Sequence, residues 1–394
     1  MQHLLLLSAF SFALLACSPF GSAEKENNEL DVEMGPVPEQ NGTTNPLAQK
    51  NKNRSMSWRD FFKPPPNQKQ RGILQQKFIS SGDNQNPEDL LKKARSFLAL
   101  GHLDKAEHTY HNLLRIDSDN LQGLLELAMI YIRKTDTDHA FNLLEEIKQN
   151  LTKMETIPNS FLFQYRYTLA LAYELIDDTR KSHEILSDLI ALDKTFTPGY
   201  AALASSYLNK DKLEVAEFIV LRGLDRGKED PSLYNLLGVI TEKIGNLEKS
   251  ETWYAKALSI SPTFVPALVN KGILSLRKYD YESAEISLKK ALSLQGNHIE
   301  AHTALGLVYM RTGKYNDAKI LLEKVLEIDP QNSNSRYNLA LLTLHSFDHP
   351  YQAMRLFYEV LQSSIESSSD LKELARSYIE DIKHANNKKH KESN

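Results

Sequence analysis

The chain of 394 residues carries 47 Lys and Arg against 51 Asp and Glu, a net charge of −4. That balance excludes a dedicated nucleic-acid binder, which is normally strongly basic, and a single cysteine, Cys17, excludes an internal disulfide framework or a cysteine-rich metal site. With 41% hydrophobic and 25% charged residues the chain has the means to bury a core, while no apolar run after residue 20 reaches the ~20 residues of a membrane span.

Leu4 to Ala16 is apolar and has the length of a signal-peptide core, too short to span a bilayer. It ends in Leu14-Leu15-Ala16-Cys17, which resembles the bacterial lipobox. The resemblance implies that residues 1–16 are a signal peptide, that Cys17 is acylated and becomes the first mature residue, and that its lipid anchors the protein. Met1-Gln2-His3 departs from the pattern by lacking a basic residue. The alternative is an ordinary secretory signal cut after Gly21-Ser22-Ala23. Ser18, where inner-membrane lipoproteins carry Asp, resembles the outer-membrane sorting signal, so the expected place is the periplasmic face of the outer membrane.

Residues 17–86 are read as a disordered tether, rich in Asn, Gln, Pro and Ser and without a lasting apolar period. It is acidic from Glu24 to Glu39 and basic from Lys50 to Lys77. As a coil it has an r.m.s. span of roughly 40–45 Å. Within it, Trp58, Phe61 and Phe62 stand beside the stiff run Pro64-Pro65-Pro66, a candidate docking motif whose alternative is a patch folded back on the first repeat.

From residue 87 to 384 the sequence repeats every 34 residues, in units starting near 87, 121, 163, 197, 231, 265, 299 and 333. The eighth residue of each unit is small: Ala94, Ala128, Ala170, Ala204, Gly238, Gly272, Gly306, Ala340. A second small residue follows at position 20, from Ala106 and Ala140 to Ala318, with Ala353 one place late. Aromatics recur at position 11 (Phe97, Tyr131, Tyr173, Tyr207, Tyr309). An insertion falls around Thr152–Ser160, and Pro262 and Pro330 close two units. Small residues let two antiparallel helices approach closely, and proline ends the second by lacking an N–H. Leu371, Leu374, Ala375, Tyr378 and Ile382 predict a capping helix over 370–384, followed by a polar tail over 385–394.

This pattern resembles the tetratricopeptide repeat, most closely over Pro231–Phe264 and Ile299–Asn332. The resemblance implies an all-α superhelix of about eight helix-turn-helix units. It also implies that the first helix of each unit lines a concave groove with positions 2, 5, 9, 12 and 13. On that basis Val239, Ile273, Leu307 and Leu341 are expected as a partly buried apolar floor, flanked by Lys243, Arg277, Arg311 and His345, with Asn235, Met310 and Tyr337 completing the groove; the alternative is that position 9 packs between neighbouring helices and position 13 is ordinary solvated charge. Its partner is then a peptide or amphipathic helix with apolar anchors and acidic residues on one flank. The carboxylate-clamp pattern is missing, since its Lys and Asn positions hold Asn235, Val269, Thr303 and Val239, Ile273, Leu307.

No Gly-x-Ser-x-Gly elbow, P-loop or dinucleotide fingerprint occurs. His298 and His302 have a metal-like spacing, but His302 falls at a packing position and no third ligand is evident. The expectation is a non-enzymatic scaffold with no cofactor, metal, nucleic acid or small-molecule substrate. Its plan of lipid plus repeats resembles pilotins and pilus-assembly lipoproteins. An adaptor for peptidoglycan hydrolases and a soluble secreted interaction protein are the alternatives.

Overall fold

A computed structural model describes residues 86–392, apart from 100, 227–228 and 363–368, with side chains described as far as 384. Cys17, Trp58, Phe61 and Phe62 lie outside the described residues. Seventeen helices follow one another among the described residues, and no strand occurs there. In pairs they are α1 (Pro87–Ala99) and α2 (Leu103–Ile116), α3 (Leu121–Arg133) and α4 (Thr137–Thr152), α5 (Asn159–Leu175) and α6 (Thr179–Leu192), and α7 (Thr197–Asn209) and α8 (Leu213–Arg226). Then come α9 (Pro231–Lys243) and α10 (Leu247–Ile260), α11 (Val265–Arg277) and α12 (Tyr281–Leu294), α13 (Ile299–Arg311) and α14 (Tyr315–Ile328), and α15 (Ser333–His345) and α16 (Pro350–Gln362). The last helix, α17, runs from Ser369 to Glu392, so the expected polar tail begins as a continuation of the cap. In the third unit the first helix begins at Asn159, four residues before the expected start, because part of the insertion lengthens that helix.

The pairing follows from the small residues. Ala94, Ala128, Ala170, Ala204 and Ala340, and their partners Ala106, Ala140, Ala216, Ser250, Ala284, Ala318 and Ala353, have no exposed surface. Where glycine takes the first place the approach is closer still: a Cβ on Gly238 would fall on the Tyr254 ring, and one on Gly272 would lie 2.6 Å from Leu288. Each unit turns back through one left-handed residue at its fifteenth place, one later in the last unit. These are Gly101, Thr135, Asp177, Asp211, Gly245, Tyr279, Gly313 and Asp348. Three are glycine, which enters this region without strain. In four units Asp or Asn then caps the second helix, as when Asp280 accepts from the Ser283 amide at 3.1 Å.

Neighbouring units stack in order, and the core runs as a chain of local clusters from α1 to α17. Ion pairs stitch the surface between them: Lys134 to Asp104 and Glu107, Lys278 to Glu251, Lys314 to Glu285. The winding brings the first unit near the sixth, since a Cβ on Gly101 would lie 3.6 Å from Gln295. In the cap, Leu371, Ala375, Ile379 and Ile382 are buried. Leu374, expected inside, is exposed and Ile379 takes its place.

Candidate partner-binding groove

The concave wall is built by the first helix of each unit, and most of that wall is core. Val239 is 0% exposed, Ile273 4% and Leu341 5%, each packed in a buried cluster. The expectation of a partly buried floor is corrected for these three. Position 9 closes the gap to the neighbouring inner helix, and its side chain is spent on stacking. Leu307 is half-buried and keeps a surface toward solvent, as does Met310 one turn later.

Asn235 and Tyr337 are also buried. Asn235 accepts from the Asn270 side-chain amide at 2.9 Å, a polar link between inner helices of successive units. Thr303 and Ser335 are linked likewise at 3.0 Å. Tyr337 packs edge-on against Phe357 and Tyr378, its hydroxyl buried without a partner, and burial pushes its pKa up.

The cations at position 13 differ from one another. Lys243 lies 3.4 Å from Asp211 of the preceding turn. Arg277 donates to Glu242, a buried carboxylate that also accepts from the Tyr254 hydroxyl at 2.8 Å. The first two units carry a related knot, in which Glu126 accepts from Tyr110, Gln122 and Arg95. These knots hold repeats together, because a buried carboxylate is tolerated only when charge-assisted bonds satisfy it. His345 meets the Tyr378 ring edge-on, and burial lowers its pKa. Arg311 is exposed, and no hydrogen bond or ion pair engages it among the described residues.

The sequence reading stopped at the last four units and missed Arg133, the same position of the second unit. Arg133 keeps a water-exposed surface and has no ion pair among the described residues, while the surrounding protein lowers its pKa. Extending the position-13 column across its two-unit gap at Leu175 and Asn209 finds it in the next unit. His302 is buried and donates Nε2–H to the Gly296 carbonyl at 2.8 Å, as a packing residue would, while His298 caps α13. Among the described residues no three potential ligand side chains converge on a metal site.

Accessible groove chemistry therefore gathers on α13 and its neighbours: Leu307 and Met310 beside Arg311, with His345 on α15 and Lys243 and Arg277 behind. This arrangement offers one apolar contact and an unpaired cation a turn apart.

Sequence models of the tetratricopeptide repeat match residues 275–343, 231–264 and 91–151. Among curated proteins the chain is 22% identical over 215 residues to the pentatricopeptide repeat-containing protein OTP51, chloroplastic, of Oryza sativa subsp. japonica, covering 53% of this chain and 26% of the relative. It is 26% identical over 204 residues to tetratricopeptide repeat protein 34 of Homo sapiens, covering 51% and 33%. The chain thus spans about a quarter to a third of these relatives. Among solved structures, the APC/C hetero-tetramer Cut9-Hcn1 is similar at a TM-score of 0.54 with 18% identity, covering 78% of this chain and 59% of that one. PilW, a type IV pilus biogenesis factor, is similar at 0.46 with 20% identity, covering 54% and 98%. At 18% identity the likeness to Cut9-Hcn1 is one of fold alone.

Proposed function

This chain is a tetratricopeptide-repeat protein, and on that premise we propose that it is a non-catalytic protein-binding scaffold held at a bacterial envelope through acylated Cys17. The observation that supports binding is the α13 patch, where half-buried Leu307 and Met310 adjoin the unpaired Arg311. The partner it fits is a peptide or amphipathic helix with an apolar anchor and a carboxylate one turn away. The apolar contact supplies most of the affinity, and the cation sets orientation and encounter rate, since an exposed pair contributes only ~0–1 kcal/mol. Assembly of a secretin, pilus or similar envelope complex is the role we favour, on the plan of lipobox, tether and repeats.

A photoreactive residue placed at Leu307 in living cells tests the groove. The reading expects one dominant protein adduct that disappears when Arg311→Glu is added. No adduct, or one indifferent to Arg311→Glu, overturns it. For the anchor, Cys17→Ser should release the protein from the membrane fraction, and persistence there in high salt would mean that lipid is not the anchor.

A further inference from the structure

A second concavity lies on the opposite side of the inner helices, between the outer helices of the first two units. It is a cleft of about 220 Å³ formed by α2, α3 and α4. Leu124 and Leu127 form its buried base, and Leu114 and Leu143 give it half-buried apolar walls. Tyr131 is clamped at its edge: the hydroxyl lies 3.0 Å from His111 Nε2, and the ring stacks on His139 with centroids 4.9 Å apart. The Asp136 carboxylate, 2.8 Å from His139 Nδ1, holds that imidazole in turn. The rim carries one unpaired carboxylate: Glu146 lines it, exposed and without an ion pair among the described residues, while Glu107, 3.9 Å from His111, is held by Lys134.

We infer that this cleft is the docking site for the chain's own aromatic-basic segment Trp58-Arg59-Asp60-Phe61-Phe62-Lys63, with the Trp58 indole in the cleft and Arg59 opposite Glu146. Three observations favour this occupant over a foreign one. Size is the first: an apolar cavity of ~150 Å³ already takes a benzene ring, so this one suits a single aromatic side chain. Charge is the second, because residues 50–77 carry eight Lys or Arg and one acidic residue, and the exposed carboxylate at the rim, Glu146, has no ion pair among the described residues. Length is the third. Only 23 residues separate Lys63 from Pro87, which would span roughly 25–30 Å were they the coil their composition predicts, and the cleft belongs to the two units where the array begins. Such a short tether keeps the segment at roughly millimolar effective concentration, so even a weak contact is occupied. The docked segment would shorten the free tether and fix the array's reach from its anchor, without touching the concave groove.

The chain has two tryptophans, Trp58 and Trp253, so Trp253→Phe leaves Trp58 as its single indole. In the full-length Trp253→Phe chain, Trp58 should emit at shorter wavelength than in urea and be quenched severalfold less by acrylamide. Adding Leu143→Arg, or separately Glu146→Lys at the exposed rim, should move emission and quenching to the values in urea at unchanged helical content. The Glu146→Lys variant decides if Leu143→Arg impairs folding. The inference is overturned if Trp58 is as exposed in the folded chain as in urea, or if its shielding survives both cleft variants. It is also overturned if the shielding fades on dilution, because the segment then comes from a second copy.

Discussion

The inner helices α9, α11 and α13 bury nine, ten and eight of their thirteen residues, while the outer helices α8, α10 and α14 bury three of fourteen. Inner helices are flanked on both sides by other inner helices and backed by outer ones, so little of their circumference is left for a partner. Large apolar side chains in water stand instead on outer helices, as Phe218, Ile286 and Ile320 do at one repeated position. The difference teaches that a concave surface cannot be assigned by position number alone: in this array the floor of the groove is mostly the core.

Aspartate substitution separates the two regions most sharply. Val239→Asp, on the inner side, buries an uncompensated carboxylate and should cost about 3–5 kcal/mol, whereas Ile286→Asp on α12 should stay within about 0.5 kcal/mol. Chemical denaturation of the two variants checks this, and a similar loss in both would erase the distinction. The contact between inner and outer helix is probed next. Gly238→Ala places a methyl on the Tyr254 ring and should cost about 3 kcal/mol, while Gly306→Ala, 3.3 Å from Leu322, should cost about 1 kcal/mol or less. Equal melting temperatures for the two alanine variants would contradict the packing described.

Acid sensitivity reports on an outer-helix ion pair. Hydrogen bonds from Lys289 and Lys314 hold the Glu285 carboxyl down to about 2. A folded-state pKa below the unfolded one, near 4.5, stabilises the protein above pH 4.5, and that gain is lost as pH falls toward 2. Because both lysines are largely in water, Glu285→Gln should cost only about 1 kcal/mol at neutral pH, and the difference from the parent should vanish as the pH approaches 2. Urea titrations at neutral and acid pH measure it. The smallest effect is expected in the turns: Tyr279→Gly relieves a left-handed tyrosine and should raise stability by about 0.5–1 kcal/mol, seen as a higher melting temperature.

The period of 34 and its two small residues made the fold legible, because close helix approach admits few residue types and leaves a mark in every unit. The left-handed turn was hardly visible, since Gly101, Gly245 and Gly313 share that place with Thr, Asp and Tyr. Burial at position 9 was legible only as one of two alternatives. Val239 and Leu307 are equally apolar, and only the spacing of adjacent inner helices decides which one meets water. An inner helix buried on most sides also loses the one-sided apolar stripe from which exposure is usually read. Leu374 and Ile379 in the cap show the same limit, both fitting a helical period while one alone faces the core.

Cysteine accessibility tests the central claim that the groove opens at Leu307 and is closed at Val239. In a Cys17→Ser background each introduced cysteine is the only thiol of the chain. Leu307→Cys should react with a maleimide within a few-fold of the unfolded chain, and Val239→Cys should be slower by about a hundredfold or more, because it reacts only through opening of the core. Equal rates at the two positions would contradict the account.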